Sequence, residues 1–241
     1  MLQELAPRVT TLRAAGLPGM ERIVLRGERA YLKHGPLRGS AARRYGLADL
    51  LGRPTPRIRE FDNLSWLRAH GFAAPEPLAA RLDRSGLRAS YQFLATREIK
   101  GARTLREELE ASDAERCAAL LASLGAEVAR LHGAGFVHRD LFPRNVLVVA
   151  SGRSPRFAFL DAWRGGPRPQ PPGRGRTFDL ACLTLYLPTL AGGDARRLLL
   201  ESYSRSSPQR EGTLRRIDAC RARLISHLKK RGRTSPPLPD S

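Results

Sequence analysis

The chain is most constrained between Ser112 and Leu160, where helix, loop and strand signals follow one another without a gap. Ser112-Asp113-Ala114-Glu115 has the form of a capping box, in which a hydroxyl accepts from the third backbone N–H while Glu115 reaches back to the cap. Cys117, Leu120, Leu121, Leu124, Val128 and Leu131 then share one apolar face, and Gly133 or Gly135 supplies the stop. This is a long buried helix. The runs 146–149 and 156–160 form a hairpin around Ser151-Gly152-Arg153-Ser154-Pro155. Between helix and hairpin lies a short loop holding His138, Asp140 and Asn145, anchored on both sides.

The rest of the chain falls around that segment. Residues 21–33 predict two short strands about Gly27, with Lys33 closing the second, and residues 34–57, rich in Arg, Gly and Pro, predict a loop with one helical turn. Phe61, Leu64 and Leu67 place a helix over 57–70, stopped by Gly71, and Ala74-Pro75-Glu76-Pro77 is extended. Strands are expected at 78–83 and 89–98, either side of Asp83-Arg84-Ser85-Gly86. Residues 163–177, with four Pro and four Gly, predict a loop. Helical patterns return at 178–190, 195–203 and from Leu214 to Leu228. At 241 residues with 41% hydrophobic content, the chain can bury a sizeable core, which excludes a disulfide mini-protein and global disorder. The longest apolar stretch, Phe178 to Leu190, is shorter than the ~18 residues of a membrane span.

The chemistry is concentrated at the two ends of the hairpin. His138-Arg139-Asp140-Leu141-Phe142-Pro143-Arg144-Asn145 matches the phosphotransferase loop H-x-D-L-x-x-x-N, in which the Asp accepts a hydroxyl proton and an Asn five residues on binds magnesium. Sixteen residues later, Asp161 ends the next strand, where a carboxylate chelates magnesium between phosphates. Such a site also needs a strand Lys for the α and β phosphates and a helical carboxylate to orient it. Lys33, one of only four lysines beside 38 arginines, fills the first role. Glu60 is the favoured partner and Asp62 its rival; helix-dipole compensation accounts for Glu60 without catalysis. His138 reads as a core residue that orients the loop, since the adjacent Asp140 is better placed to act as base.

From about Ile23 to Leu190 the chain resembles the lipopolysaccharide kinase family, the Kdo and heptose kinases of the bacterial inner core. The likeness rests on Lys33-His34-Gly35, Arg59-Glu60-Phe61, Pro75-Glu76-Pro77, Thr96-Arg97-Glu98-Ile99, Gly101-Ala102-Arg103-Thr104-Leu105, the catalytic loop and Asp179-Leu180-Ala181. The resemblance implies an α+β, two-lobed protein-kinase-like fold, with an abbreviated N-terminal β lobe over 1–98 and a mainly helical C-terminal lobe over 99–231; residues 232–241 themselves read as a disordered tail. It implies that Glu98 and Ile99 lie at the hinge where backbone groups meet adenine, that ATP and Mg2+ are the cofactors, and that Asp179 braces the catalytic loop. A plain N-cap after Thr177 is the other reading of Asp179. The chain departs from the pattern twice. No G-x-G-x-x-G precedes Lys33, leaving Gly16 and Gly19 to cover phosphates, and Trp163 stands where the family often has a further acid.

Charge sets the expected partners. The net charge of +19 is spread as +9, +4 and +6 over residues 1–100, 101–200 and 201–241, so no single tail carries it. An aminoglycoside substrate is excluded by its own positive charge, and the short segment from Asp161 to Asp179 leaves little room to dock a peptide. No nucleic acid is expected, because nothing interleaves aromatics with basic residues. The expected acceptor is a sugar hydroxyl of the lipopolysaccharide inner core or a related anionic glycolipid, met at an anionic membrane face and gripped by arginines such as Arg38, Arg43, Arg44, Arg144 and Arg164. The basic C-terminal helix is either packed or a membrane-surface element. Cys117, Cys182 and Cys220 lack metal or disulfide spacing, and no secretory signal is visible in Met1 to Thr11, so a cytoplasmic location is expected, peripheral to the inner face of the cytoplasmic membrane. The competing readings are a pseudokinase acting as a basic binding module and an atypical small-molecule or protein kinase.

Overall fold

The structure, a computed structural model, describes residues 2–149, 155–168, 173–206 and 212–232. The chain divides into two compact units, Met1–Lys100 with Ala162–Arg164, and Gly101–Asp161 with Gly165–Ser241. The architecture is mixed α+β.

In the first unit the order is α1 (Leu2–Ala15), β1 (Gly19–Leu25), β2 (Glu28–Pro36), α2 (Gly39–Leu50), α3 (Pro56–Ala69), β3 (Pro77–Ser85) and β4 (Arg88–Arg97). The strands form one antiparallel sheet in the order β1-β2-β4-β3, with Lys33 opposite Met20 on one side and Leu94 on the other. Alternation along β2 buries Ala30, Leu32 and His34, so Lys33 shares the opposite face with Tyr31. The strand runs three residues past Lys33, as His34 and Pro36 pair with Phe93 and Tyr91. Helix α1 covers the sheet with Leu5, Val9 and Leu12, whose four- and three-residue spacing makes one stripe. One expectation is corrected here. Residues 34–57 are not a loop with a single turn but hold the twelve-residue α2: the Gly and Pro residues lie mostly at its ends, and good helix formers such as Ala41, Ala42, Arg43 and Arg44 fill the middle. Gly16 ends α1 at φ +67° with its carbonyl accepting from Arg38, and Gly19 begins β1.

The second unit contains β5 (Ala102–Thr104), α4 (Leu105–Ala111), α5 (Ala114–Gly133), β6 (Phe136–Val137), a 3-10 turn (Pro143–Asn145), β7 (Val146–Val149), β8 (Arg156–Phe159), β9 (Gly166–Pro167), α6 (Gly173–Thr184), α7 (Leu187–Ala191), α8 (Ala195–Ser206) and α9 (Thr213–Lys230). Its principal sheet runs β5-β7-β8, and β6 pairs with β9. The capping box expected at Ser112 is instead at Thr104, whose hydroxyl accepts from Glu107 N–H while Glu107 accepts from Thr104 N–H. Helix α5 is capped by Asp113, which accepts from Arg116 N–H at 2.8 Å. One residue of register separates the two readings, since Asp113 can reach the N–H three residues on as Ser112 would reach that of Glu115.

Residues 163–177 are not all loop. Gly166–Pro167 pairs with Phe136–Val137, and α6 begins at Gly173. Gly165 permits this approach: a Cβ there would lie 1.9 Å from the Val137 carbonyl oxygen. Of the turn expected at 151–155, all but Pro155 lies outside the described residues, as do most of the tail, from 233, and 169–172. Helix α9 turns Ile217 and Ile225 inward, with Leu224 and Leu228 against Phe142, Cys182 and Leu185, so its apolar face is packed.

Candidate active site

In the first unit, Lys33 Nζ donates to Glu60 Oε1 at 2.6 Å, and Arg57 Nη1 donates to Glu60 Oε2 at 2.9 Å. Glu60 is buried on α3, its carboxylate flanked by two cations. The structure therefore pairs Lys33 with Glu60 rather than Asp62. Arg57 was not anticipated, although its position one helical turn before Glu60 was visible in the sequence.

Glu98 follows β4. Its carboxylate is hydrogen-bonded by Arg22, which pulls its pKa below the ordinary carboxylate range. Its backbone N–H donates to the Arg29 carbonyl at 2.9 Å. Of the two hinge residues expected to meet adenine, Glu98 thus has its N–H committed to the sheet. Ile99, half-buried, stands just beyond it.

In the second unit the loop after β6 is held from behind by Asp179. One carboxylate oxygen accepts from His138 N–H at 2.7 Å and the other from Arg139 N–H at 2.6 Å. His132 Nε2 donates to the first oxygen at 3.2 Å, and His132 Nδ1 lies 2.8 Å from the Tyr203 hydroxyl. Asp179 lies inside α6 rather than at its cap. The clamp holds Arg139 at φ +61°, a left-handed conformation that costs about 1–2 kcal/mol for a residue with a Cβ. His132 and Tyr203, from α5 and α8, were missed because neither belongs to the motif. Their only sequence signal is their place on the buried faces of long helices.

The turn so fixed presents Asp140 and Asn145. Asn145 Nδ2 donates to the Asp140 carbonyl at 2.8 Å, which orients the amide and leaves Oδ1 as its acceptor. The Leu160 N–H donates to the Asn145 carbonyl at 2.9 Å, and Asp161 is the next residue, so Asn145 and Asp161 lie at the same end of the β7–β8 hairpin. Asp161 takes φ +54° as the chain leaves the strand. An amide oxygen and a carboxylate are hard oxygen donors, a set that fits magnesium completed by phosphates and water. Among the described residues no cluster of three His, Cys, Asp or Glu side chains offers a fuller metal cage. Arg144 stacks 4.4 Å over the Phe142 ring, its Nη2 3.7 Å from Asp140 Oδ1. His138 is fully buried and donates from Nε2 to the Leu160 carbonyl at 2.7 Å. It thereby ties the start of the loop to the residue before Asp161.

A model of the lipopolysaccharide kinase (Kdo/WaaP) family matches residues 13–203, beyond both ends of the resemblance read from the sequence. A 3-deoxy-D-manno-octulosonic acid kinase of Actinobacillus succinogenes is 30% identical over 146 residues, 59% of this chain and 59% of that protein. The chain thus spans about three-fifths of the length of that relative. A solved structure of WaaP in complex with acyl carrier protein matches with a TM-score of 0.59 at 19% identity, covering 92% of this chain and 90% of that one. The shared fold is protein-kinase-like.

Proposed function

The chain belongs to the lipopolysaccharide kinase (Kdo/WaaP) family, and from that premise we propose that it transfers the γ-phosphoryl group of ATP to a sugar hydroxyl of the lipopolysaccharide inner core. A Kdo hydroxyl is favoured, since the curated relative bears the name of a kinase acting on that sugar. The observation that carries the reading is the fixed geometry of the second unit. Asp179 holds the loop by its backbone, Asn145 is oriented through Asp140, and Asp161 follows the residue bonded to Asn145.

In this reading Asp140 orients the acceptor hydroxyl and accepts its proton as the hydroxyl oxygen bonds to the γ-phosphorus. The bond from that phosphorus to the bridging oxygen breaks, and ADP departs with the electron pair. Lys33, oriented by Glu60, holds the α and β phosphates, and Ile99 meets the adenine with Glu98 beside it. Asn145 Oδ1 and Asp161 hold magnesium, which supplies charge neutralisation on the phosphates. Arg144, steadied on Phe142, offers its guanidinium to an acidic group of the acceptor.

The deciding experiment measures γ-phosphoryl transfer from ATP onto truncated lipopolysaccharide acceptors, with Mg·ATP-dependent thermal stabilisation run in parallel. Transfer by the parent, and a Mg·ATP shift abolished by Asp161→Ala, are the expected results. No shift with Mg·ATP and a strong shift with polyanions would replace the kinase with a binding module.

A further inference from the structure

We propose that the first unit docks on an anionic lipid bilayer through an exposed leucine stripe on α2 and the tip of the β3–β4 hairpin. The inference goes beyond the reading of the active site and does not depend on the identity of the acceptor.

Leu47, Leu50 and Leu51 recur at three- and four-residue spacing, which puts them on one face at the end of α2. They are 49%, 52% and 60% exposed. Leu87, in the two-residue turn between β3 and β4, is 62% exposed. The turn lies directly against the helix, because a Cβ on Gly46 would come within 2.3 Å of the Leu87 carbonyl oxygen. Glycine at 46 thus lets the backbone of the turn that bears Leu87 lie against the helix that bears the other three. Isolated exposed leucines are ordinary on a protein surface, whereas a group of four on adjoining elements marks a binding surface.

The surrounding charge selects the occupant. Arg43 and Arg44 precede Leu47 by four and three residues and continue the same face, Arg53 follows the helix, and Arg88 follows Leu87; all four are exposed. Among the described residues no carboxylate pairs with any of them. Asp49 lies toward the other side of the helix, paired with Arg84 at 3.0 Å. An apolar ridge with an unneutralised guanidinium rim needs acyl chains and phosphates within one side-chain length of each other, which a bilayer headgroup boundary provides. The sequence left the C-terminal helix open to either packing or such a role. The apolar face of α9 is packed within the second unit, leaving it charge but few side chains to insert.

The test is cosedimentation of the full chain with vesicles of phosphatidylcholine alone and of phosphatidylcholine with phosphatidylglycerol. Binding at least about tenfold stronger to the anionic vesicles is expected. The variant Leu47→Gln/Leu50→Gln/Leu51→Gln is expected to weaken it by about tenfold or more, with an unchanged melting temperature because the replaced side chains are exposed. Leu87→Trp should acquire fluorescence that brominated lipids quench. The triple variant should still phosphorylate an acyl-free acceptor as the parent does, so failure of docking and failure of the kinase reading are separable. Three outcomes would overturn the proposal: undiminished vesicle binding by the triple variant, equal binding of the parent to neutral vesicles, or a lipid-free dimer of the parent that the triple variant disperses. The last would assign the stripe to a second copy of the chain.

Discussion

Each unit buries one carboxylate in the candidate site, and the two are satisfied in opposite ways. Glu60 is held by the side-chain cations Lys33 and Arg57, at the ends of stems that can rotate. Asp179 is held by two backbone N–H groups, which cannot move without moving the chain, and by a buried imidazole. The first arrangement sets charge and permits Lys33 to follow a ligand. The second sets geometry. Burial alone therefore does not tell what a carboxylate is for; the flexibility of its partners does.

The largest effect should follow from removing what the rigid centre presents. Asp140→Asn is expected to lower turnover by about 10²- to 10⁴-fold while leaving Mg·ATP binding nearly intact; turnover within threefold of the parent would detach Asp140 from the chemistry. Removing the clamp itself, by Asp179→Ala, strands two backbone donors and His132 in the interior. It should cost about 3–5 kcal/mol in urea unfolding, and a loss below 1 kcal/mol would break the contrast drawn above.

The flexible centre should respond more gently. Glu60→Gln is expected to raise KM for ATP by about tenfold, in line with a charge-assisted hydrogen bond of ~1.5 kcal/mol, with little change in melting temperature. Combined with Lys33→Met, it should add almost nothing, because both changes remove one interaction. Additive losses would make Glu60 a structural residue only. Tyr203→Phe deletes the hydroxyl beside His132 and should cost about 1 kcal/mol of stability. Heteronuclear NMR of the imidazole nitrogens would show whether the tautomer of His132 depends on that hydroxyl. The smallest effect concerns Cys182, whose thiol is pushed far up by burial. It should resist alkylation in the folded protein while the half-buried Cys220 reacts slowly.

The second unit was the more legible in sequence because its elements are defined by local signals. The stripe from Cys117 to Leu131 gave α5, and the spacing of Asp140, Asn145 and Asp161 gave the loop and the hairpin ends. The Lys33–Glu60 pairing also followed from residue type, since a lone lysine on a strand stands out among arginines. What escaped depends on contacts remote in sequence. Helix α2 was hidden by the Gly and Pro residues at its ends, and the need for Gly46 and Gly165 appears only when Leu87 and Val137 lie against them. The His132–Tyr203 contact spans 71 residues and carries no local pattern. Helix α1, with one apolar stripe and Pro7 in its first turns, gave little to distinguish it from a loop.

The discontinuity of the first unit bears on how the chain comes off the ribosome. Ala162–Arg164 belongs to that unit, and the Asn63 amide donates to the Ala162 carbonyl across 99 residues. At a synthesis rate of about 5–20 residues per second, the Ala162 carbonyl is made roughly 5–20 s after Asn63. The first unit is therefore left incomplete until nearly the whole of the segment bearing Asp140 and Asn145 has been translated. Ribosome-arrested chains ending before residue 162 should expose that unit to proteases, and chains long enough to free residue 164 from the exit tunnel should close it.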